Sequence, residues 1–173
     1  VYCGSAYPHK NLELLITAFT DFNISNGNKY QLVLIGKNDY FYSRLQDDYN
    51  YNDVIYTGYL PDNEVAFLYK NCQAFIIASN YEGFGLSPLE AQYCGAPVLS
   101  SNAGSLPEVL SDSGILFEVN NRQAIVDALT QVSSDNELRQ DLINRGYNNI
   151  QKFSWSKMVK EVTDVYSSLA NNK

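Results

Sequence analysis

Ala74-Phe75-Ile76-Ile77-Ala78, followed by Ser79-Asn80-Tyr81-Glu82-Gly83-Phe84-Gly85-Leu86-Ser87-Pro88-Leu89-Glu90-Ala91-Gln92-Tyr93-Cys94-Gly95-Ala96-Pro97, reads as strand end, glycine loop and short helix. The apolar run is short, continuous and rich in β-branched and aromatic side chains, which suits a strand buried on both faces of a parallel sheet. Ser87-Pro88-Leu89-Glu90 has the form of a helix start, with Ser87 as N-cap, Pro88 at the first helical position and Glu90 three residues past the cap. Gly95 ends that helix. A loop feeding a helix N-terminus offers unpaired amides and the positive end of the helix dipole to an anion, and Gly83 and Gly85 let the backbone come close. Glu82 and Glu90 frame the same place with carboxylates, which repel phosphate but accept paired hydroxyls. Phosphates beside vicinal diols describe a nucleotide sugar. On spacing alone, Glu90 also reads as the partner of Ser87 in a capping box and Glu82 as a solvated loop acid, and the pattern leaves both readings open.

Working outward, strands alternate with helices over the first two-thirds of the chain. Val1–Gly4, Gln31–Gly36, Val54–Thr57, Ala74–Ala78, Val98–Ser101 and Ile115–Phe117 read as strands. Helices are predicted after Asn11 as N-cap, over about Asp39–Tyr49, from a cap near Asp62, and over Pro107–Leu110. From Asn121 onward the apolar spacing is helical throughout. The pattern predicts an α/β fold, a Rossmann-like doubly wound parallel sheet of about six strands with helices on both faces and C-terminal helices packed alongside. In such a sheet the loops at Gly4, Gly58, Glu82 and Gly104 all fall at the strands' C-terminal edge, where ligands bind.

The 173 residues fit one domain with a proper core, and 45% hydrophobic content supports folding. Fourteen tyrosines and eight phenylalanines suit strands and pocket walls without naming a ligand. A formal charge of −7 disfavours nucleic acid and anionic membrane surfaces as partners, so any phosphate site is local. Cys3, Cys72 and Cys94 have neither metal nor redox spacing and read as reduced, mostly buried thiols of a cytoplasmic protein. No apolar run reaches the roughly 18 to 20 residues of a membrane span. Val1 reads as already inside a strand, as in a piece of a longer polypeptide.

Glu82-Gly83-Phe84-Gly85-Leu86, Pro88-Leu89-Glu90-Ala91 and Cys94-Gly95-Ala96-Pro97-Val98 resemble the signature of retaining glycosyltransferases of family four, of GT-B fold, marked by two glutamates separated by seven residues. The resemblance extends through Gly4 with Pro8-His9-Lys10-Asn11, Gly58-Tyr59-Leu60-Pro61-Asp62, Gly104-Ser105-Leu106-Pro107-Glu108 and Phe153-Ser154-Trp155. It implies that residues 1–173 form the nucleotide-sugar (donor) binding domain and that an N-terminal acceptor-binding domain lies outside this chain. It implies transfer of a hexose to a hydroxyl acceptor in surface polysaccharide or glycolipid synthesis, by front-face attack, with no metal and no cofactor beyond the donor. It implies a cytoplasmic enzyme, held at the inner membrane face if at all through the other domain, and an isolated fragment without transfer activity. The Pro8-His9-Lys10-Asn11 form points toward mannosyl-type enzymes.

Carried over residue by residue, Glu82 and Lys10 would be catalytic. The donor would lie against Gly4, Ser5, Lys10, Tyr59, Leu60, Glu82, Gly83, Phe84, Gly85, Leu86 and Glu90, with Glu90 on the ribose hydroxyls and the Tyr59-Leu60 turn on the base. Gly104 and Ser105 match a loop near the donor phosphates and sugar, and Trp155 reads as a packing anchor. Ser5 stands where the family commonly has an Arg for the diphosphate, so either the diphosphate is held less tightly or a positive charge comes from elsewhere, with Lys37 the candidate in this chain. His9, the only histidine, reads as an ordinary loop residue. A noncatalytic nucleotide-sugar module would keep the same pocket. A nicotinamide-dependent oxidoreductase is disfavoured because no G-x-G-x-x-G follows the first strand, and an epimerase because the glutamate pair points to transfer.

Overall fold

A computed structural model describes residues 1–170. The apolar runs become six short parallel strands, β1 (Tyr2–Cys3), β2 (Leu32–Ile35), β3 (Val54–Gly58), β4 (Phe75–Ile77), β5 (Val98–Ser101) and β6 (Ile115–Phe117). They form two three-stranded ladders, β1-β2-β3 and β4-β5-β6. Across the seam the Val1 nitrogen donates to the Ala74 carbonyl at 2.9 Å, and the Ile76 amide donates to the Val1 carbonyl at 2.9 Å. The ladders therefore lie side by side in the order β3-β2-β1-β4-β5-β6. Strand order reverses between β1 and β4, and the crevice outside their C-terminal ends is where doubly wound sheets bind ligands.

Four helices join successive strands with the sheet running parallel: α1 (Leu12–Ser25), α2 (Tyr40–Asp48), α3 (Asp62–Asn71) and α4 (Leu86–Tyr93). A short α5 (Leu106–Leu110) precedes β6, and α6 (Arg122–Ser134), α7 (Asn136–Ile150) and α8 (Trp155–Ala170) close the described chain. The chain moves one way along the sheet through α1 and α2 and the other way through α4 and α5, so right-handed crossovers place these pairs on opposite faces. The late helices cover both: α6 packs on α1 and α7 on α4. β4 and β5 are buried at every position, as the unbroken apolar reading requires. Phe75, Leu34 and Leu99 are fully enclosed, and burial of each such side chain contributes about 1.5–3 kcal/mol.

A polar network pins α7 to α4. The buried Asn149 amide donates to Gln92 Oε1 at 3.0 Å and to the Val109 carbonyl at 2.9 Å, while Gln92 Nε2 donates to Ser113 Oγ at 2.7 Å. These groups satisfy one another, so their burial is tolerated.

Two helix starts differ from expectation. Asp39 caps α2 through its Oδ1, as the Asp39–Tyr49 reading requires. Asn11 occupies the cap position of α1, but in the left-handed region at φ 58°, and its side chain does not cap. Its amide instead donates to Asn120 Oδ1 at 3.0 Å. Helix α3 starts at Asp62 itself, with Pro61 at the cap position. C-terminal packing also differs from expectation, because no residue of α8 is buried. Trp155, read as a packing anchor, is 71% exposed.

Candidate functional site

The loop after β1 turns through a single 3-10 turn, Pro8–Lys10, before α1 begins. The loop after β4 runs from Ala78 to Gly85 into α4. The two are neighbours across the β1/β4 crevice, and the Asn80 amide donates to the His9 carbonyl at 2.7 Å. That tie brings together the residues predicted to be catalytic. Lys10 Nζ donates to Glu82 Oε1 at 2.7 Å and to Oε2 at 2.9 Å. The side chains are only 18% and 13% exposed, so the pair is far less screened than a surface ion pair.

Glu82 is held from behind as well. Ser79 Oγ donates to Glu82 Oε1 at 2.6 Å. The Ser105 amide donates to the Glu82 carbonyl at 3.2 Å, and Ser105 Oγ lies within reach of the Glu82 and Phe84 carbonyls at 3.0 and 2.8 Å. Gly104, at φ 59°, presses against this loop: a Cβ there would sit 2.6 Å from the Glu82 carbonyl oxygen and 2.9 Å from its nitrogen. Gly104 and Ser105 thus serve the site through Glu82. Their role is invisible in sequence because 21 residues separate Glu82 from Gly104.

Helix α4 begins two residues earlier than the sequence motif suggests. Gly85, at φ 103°, takes the cap position, Leu86 is the first helical residue, and Ser87 lies inside the helix without capping it. The capping-box alternative for Glu90 therefore falls, because Ser87 is not at the cap. No side chain caps α4, which leaves its first-turn amides available at the crevice. Glu90 lies one turn along, exposed, and its carboxylate has no hydrogen-bond or ion-pair partner among the described residues. Gly83 is not sterically required, since a Cβ there meets nothing within 4 Å.

Glu90 borders a cavity of about 680 Å³ between α3, α4 and the α7–α8 junction, walled by Val65, Leu89, Phe153 and Trp155. Phe84 packs edge-on against Phe153 at 5.8 Å, and both line the cavity. Tyr69 lines the cavity, and its buried hydroxyl has no hydrogen-bond partner among the described residues. Burial raises the Tyr69 pKa well above the usual phenol range, so the hydroxyl stays protonated. Lys10 and Glu82 do not border this cavity. The two glutamates of the motif thus serve neighbouring but separate places.

The remaining predicted residues lie on the same edge. Gly4 follows β1, and its amide donates to the Ile35 carbonyl at 2.9 Å. The Ser5 carbonyl accepts the Tyr2 hydroxyl at 2.7 Å, which ties the loop down without supplying charge. Tyr59 and Leu60 follow β3, with Tyr59 76% exposed. Leu86 is half-exposed at the start of α4. Lys37, just past β2, is exposed and has no ion-pair partner among the described residues. His9 is exposed and stacks on Tyr7 at 6.1 Å. Cys3, Cys72 and Cys94 are free thiols but half-buried rather than buried, and burial is the main cause that raises each pKa, which disfavours the reactive thiolate. No group of three or more His, Cys, Asp or Glu side chains among the described residues is placed to hold a metal ion. No helix among them is long and apolar enough to cross a membrane.

The doubly wound α/β sheet, with a lysine-glutamate pair at its switch point and a second glutamate one turn into the following helix, is a fold of GT-B type. The chain belongs to the family described as glycosyl transferases group 1, whose model matches residues 1–149. It is 32% identical over 173 residues to the O-antigen chain mannosyltransferase B of Escherichia coli, covering 98% of this chain and 45% of that protein. The fold is similar to that of Anabaena HepE solved in complex with UDP-glucose, with a TM-score of 0.80 and 20% identity over 96% of this chain and 48% of that one. It also matches the C-terminal domain of the group 1 family protein LpcC of Francisella tularensis, with a TM-score of 0.71 and 24% identity over 88% of this chain and 82% of that one. The chain spans about half the length of the E. coli and Anabaena proteins.

Proposed function

We propose that this chain is the donor-binding half of a retaining glycosyltransferase, one that moves a hexose, of mannose type, from a nucleotide diphosphate sugar to a hydroxyl acceptor in polysaccharide synthesis. The observation that carries the reading is the Lys10–Glu82 pair at the β1/β4 switch point, with the partnerless Glu90 carboxylate one helical turn away. Glu90 holds the ribose hydroxyls, because a carboxylate accepts two neighbouring hydroxyls well. The Tyr59-Leu60 turn lies against the base. Gly4, Ser5 and the first amides of α4, from Leu86 onward, line the diphosphate, and Lys10 supplies its counter-charge. Glu82 accepts hydroxyls of the donor sugar.

As the bond between sugar and phosphate oxygen breaks, the electron pair leaves with the diphosphate. Lys10 and the helix amides offset the charge that develops there, and the acceptor hydroxyl attacks from the same face while its proton passes to the departing phosphate oxygen. Catalysis then rests on orientation and fixed electrostatics, with no metal and no covalent sugar intermediate. The acceptor site belongs to a second domain outside this chain, which alone does not transfer sugar. That domain covers the apolar face of α8, where Val162, Val165 and Leu169 lie exposed at helical spacing. The enzyme works at the cytoplasmic side of the membrane, where nucleotide sugars are available.

Steady-state kinetics of the complete enzyme test the assignment. Glu90→Ala raises the donor KM about tenfold or more, as expected for loss of a charged hydrogen-bond acceptor. Glu82→Ala lowers kcat more than it raises that KM. Unchanged kcat and donor KM in both variants would sink the proposal.

A further inference from the structure

Glu82 has its two carboxylate oxygens in unequal surroundings. Oε1 accepts Ser79 Oγ at 2.6 Å and Lys10 Nζ at 2.7 Å, while Oε2 accepts Lys10 Nζ alone, at 2.9 Å. A carboxylate oxygen offers about two lone-pair sites, so Oε1 is fully used and Oε2 keeps one open. Lys10 by itself does not impose this order: an ammonium is a point charge that either oxygen serves equally. Ser79 imposes it.

Ser79 is itself rigidly set. It lies just past β4, is fully buried, and its carbonyl accepts Ser101 Oγ, at the end of β5, at 2.6 Å. The hydroxyl that aims Glu82 is therefore fixed by two adjacent central strands and not by the loop. Ser105 fixes the backbone of the same residue from the β5–α5 side.

We propose that Ser79 is a positioning residue for sugar transfer: by occupying Oε1 it turns Oε2 toward the crevice as the acceptor for a donor-sugar hydroxyl. The inference rests on the reading of Glu82 as the donor-sugar ligand. Ser79 touches neither substrate nor the reacting atoms and acts through Glu82 alone.

The test is steady-state kinetics of the complete enzyme with Ser79→Ala, Ser79→Cys and Glu82→Gln, alongside affinity for the free nucleoside diphosphate. Ser79→Ala is expected to lower kcat about tenfold to a hundredfold, the size of a hydrogen bond to a charged group, with nucleoside diphosphate affinity within about twofold of wild type. Ser79→Cys, close in size and a weaker donor, falls between wild type and Ser79→Ala, which separates loss of the bond from loss of the fold. Glu82→Gln loses turnover at least as severely. Wild-type kcat in Ser79→Ala beside an impaired Glu82→Gln overturns the positioning role and leaves the donor-sugar reading standing. So does a parallel loss of kcat and nucleotide affinity in Ser79→Ala, the mark of a merely structural serine. Wild-type kcat in Glu82→Gln overturns the donor-sugar reading, and this inference with it.

Discussion

At the scale of single residues, the site depends on a half-buried ion pair and on the close approach of two loops. Lys10→Met keeps most of the side-chain volume but leaves the Glu82 carboxylate shielded and held only by Ser79. The expected loss is about 1–3 kcal/mol of folding stability, read from urea unfolding, since an under-satisfied buried charge bears its desolvation cost alone. Gly104 and Gly83 make a matched comparison. Gly104→Ala drives a Cβ into the Glu82 backbone at a left-handed φ, and the expected cost is about 2 kcal/mol or more. Gly83→Ala meets open space and should change stability by about 0.5 kcal/mol or less. Equal unfolding midpoints for the two variants would show that Gly104 does not set the Glu82 loop. The glutamate pair and Lys10 were legible in sequence because each sits next to a glycine-bearing strand-to-helix turn. Ser79 and Gly104 were not legible as supports for Glu82, because their roles are contacts between loops. Ser87 was misread for a local reason: Gly85 tolerates φ 103° and starts the helix two residues early.

At the scale of elements, α4 and α8 show what periodicity reveals and what it leaves open. The apolar positions of α4 and α7 identify buried faces, yet the clasp between them is polar, through Gln92, Asn149 and Ser113. Asn149→Ala removes two hydrogen bonds and leaves buried acceptors unmet, with an expected cost of about 2–3 kcal/mol by chemical unfolding. In α8 the apolar spacing of Met158, Val162, Val165 and Leu169 marks a face that seeks a partner, but spacing cannot name it. Of the C-terminal helices expected alongside the sheet, α6 and α7 pack there, whereas no residue of α8 is buried. Deleting residues 155–173 from this chain should therefore shift its melting temperature by no more than about 3 °C, equivalent to about 1 kcal/mol. A larger drop in calorimetry would mean that α8 is part of this core.

At the scale of the molecule, alternating strand and helix signals read correctly as a doubly wound sheet, since strand identity and crossover handedness leave few arrangements. The position of the seam was not readable: the β1/β4 junction rests on two backbone hydrogen bonds to Val1, which carry no side-chain pattern. The same burial that builds the core makes the fold sensitive to base. Desolvation raises the phenol of Tyr56 to about 12, and it likewise raises the phenols of Tyr2, Tyr42 and Tyr69 and the thiols of Cys3, Cys72 and Cys94. In the unfolded chain these groups lose protons near their ordinary values of about 8.5 for thiols and 10 for phenols, while the folded chain still holds them. The folded state then binds more protons, so stability is fully present below about pH 8 and falls as pH rises toward 12. Denaturant midpoints that stay level from pH 8 to 11 would contradict this.

The central claim is that the β1/β4 crevice binds a nucleotide sugar through Glu90. Saturation-transfer NMR tests it on this chain with UDP-, GDP- and ADP-hexoses and NAD, with Glu90→Ala as the paired variant. The account predicts transfer to the ribose and base protons of one nucleotide sugar, absent for NAD and lost in Glu90→Ala. Equal transfer to NAD and the nucleotide sugars, or a signal that survives Glu90→Ala unchanged, would contradict it.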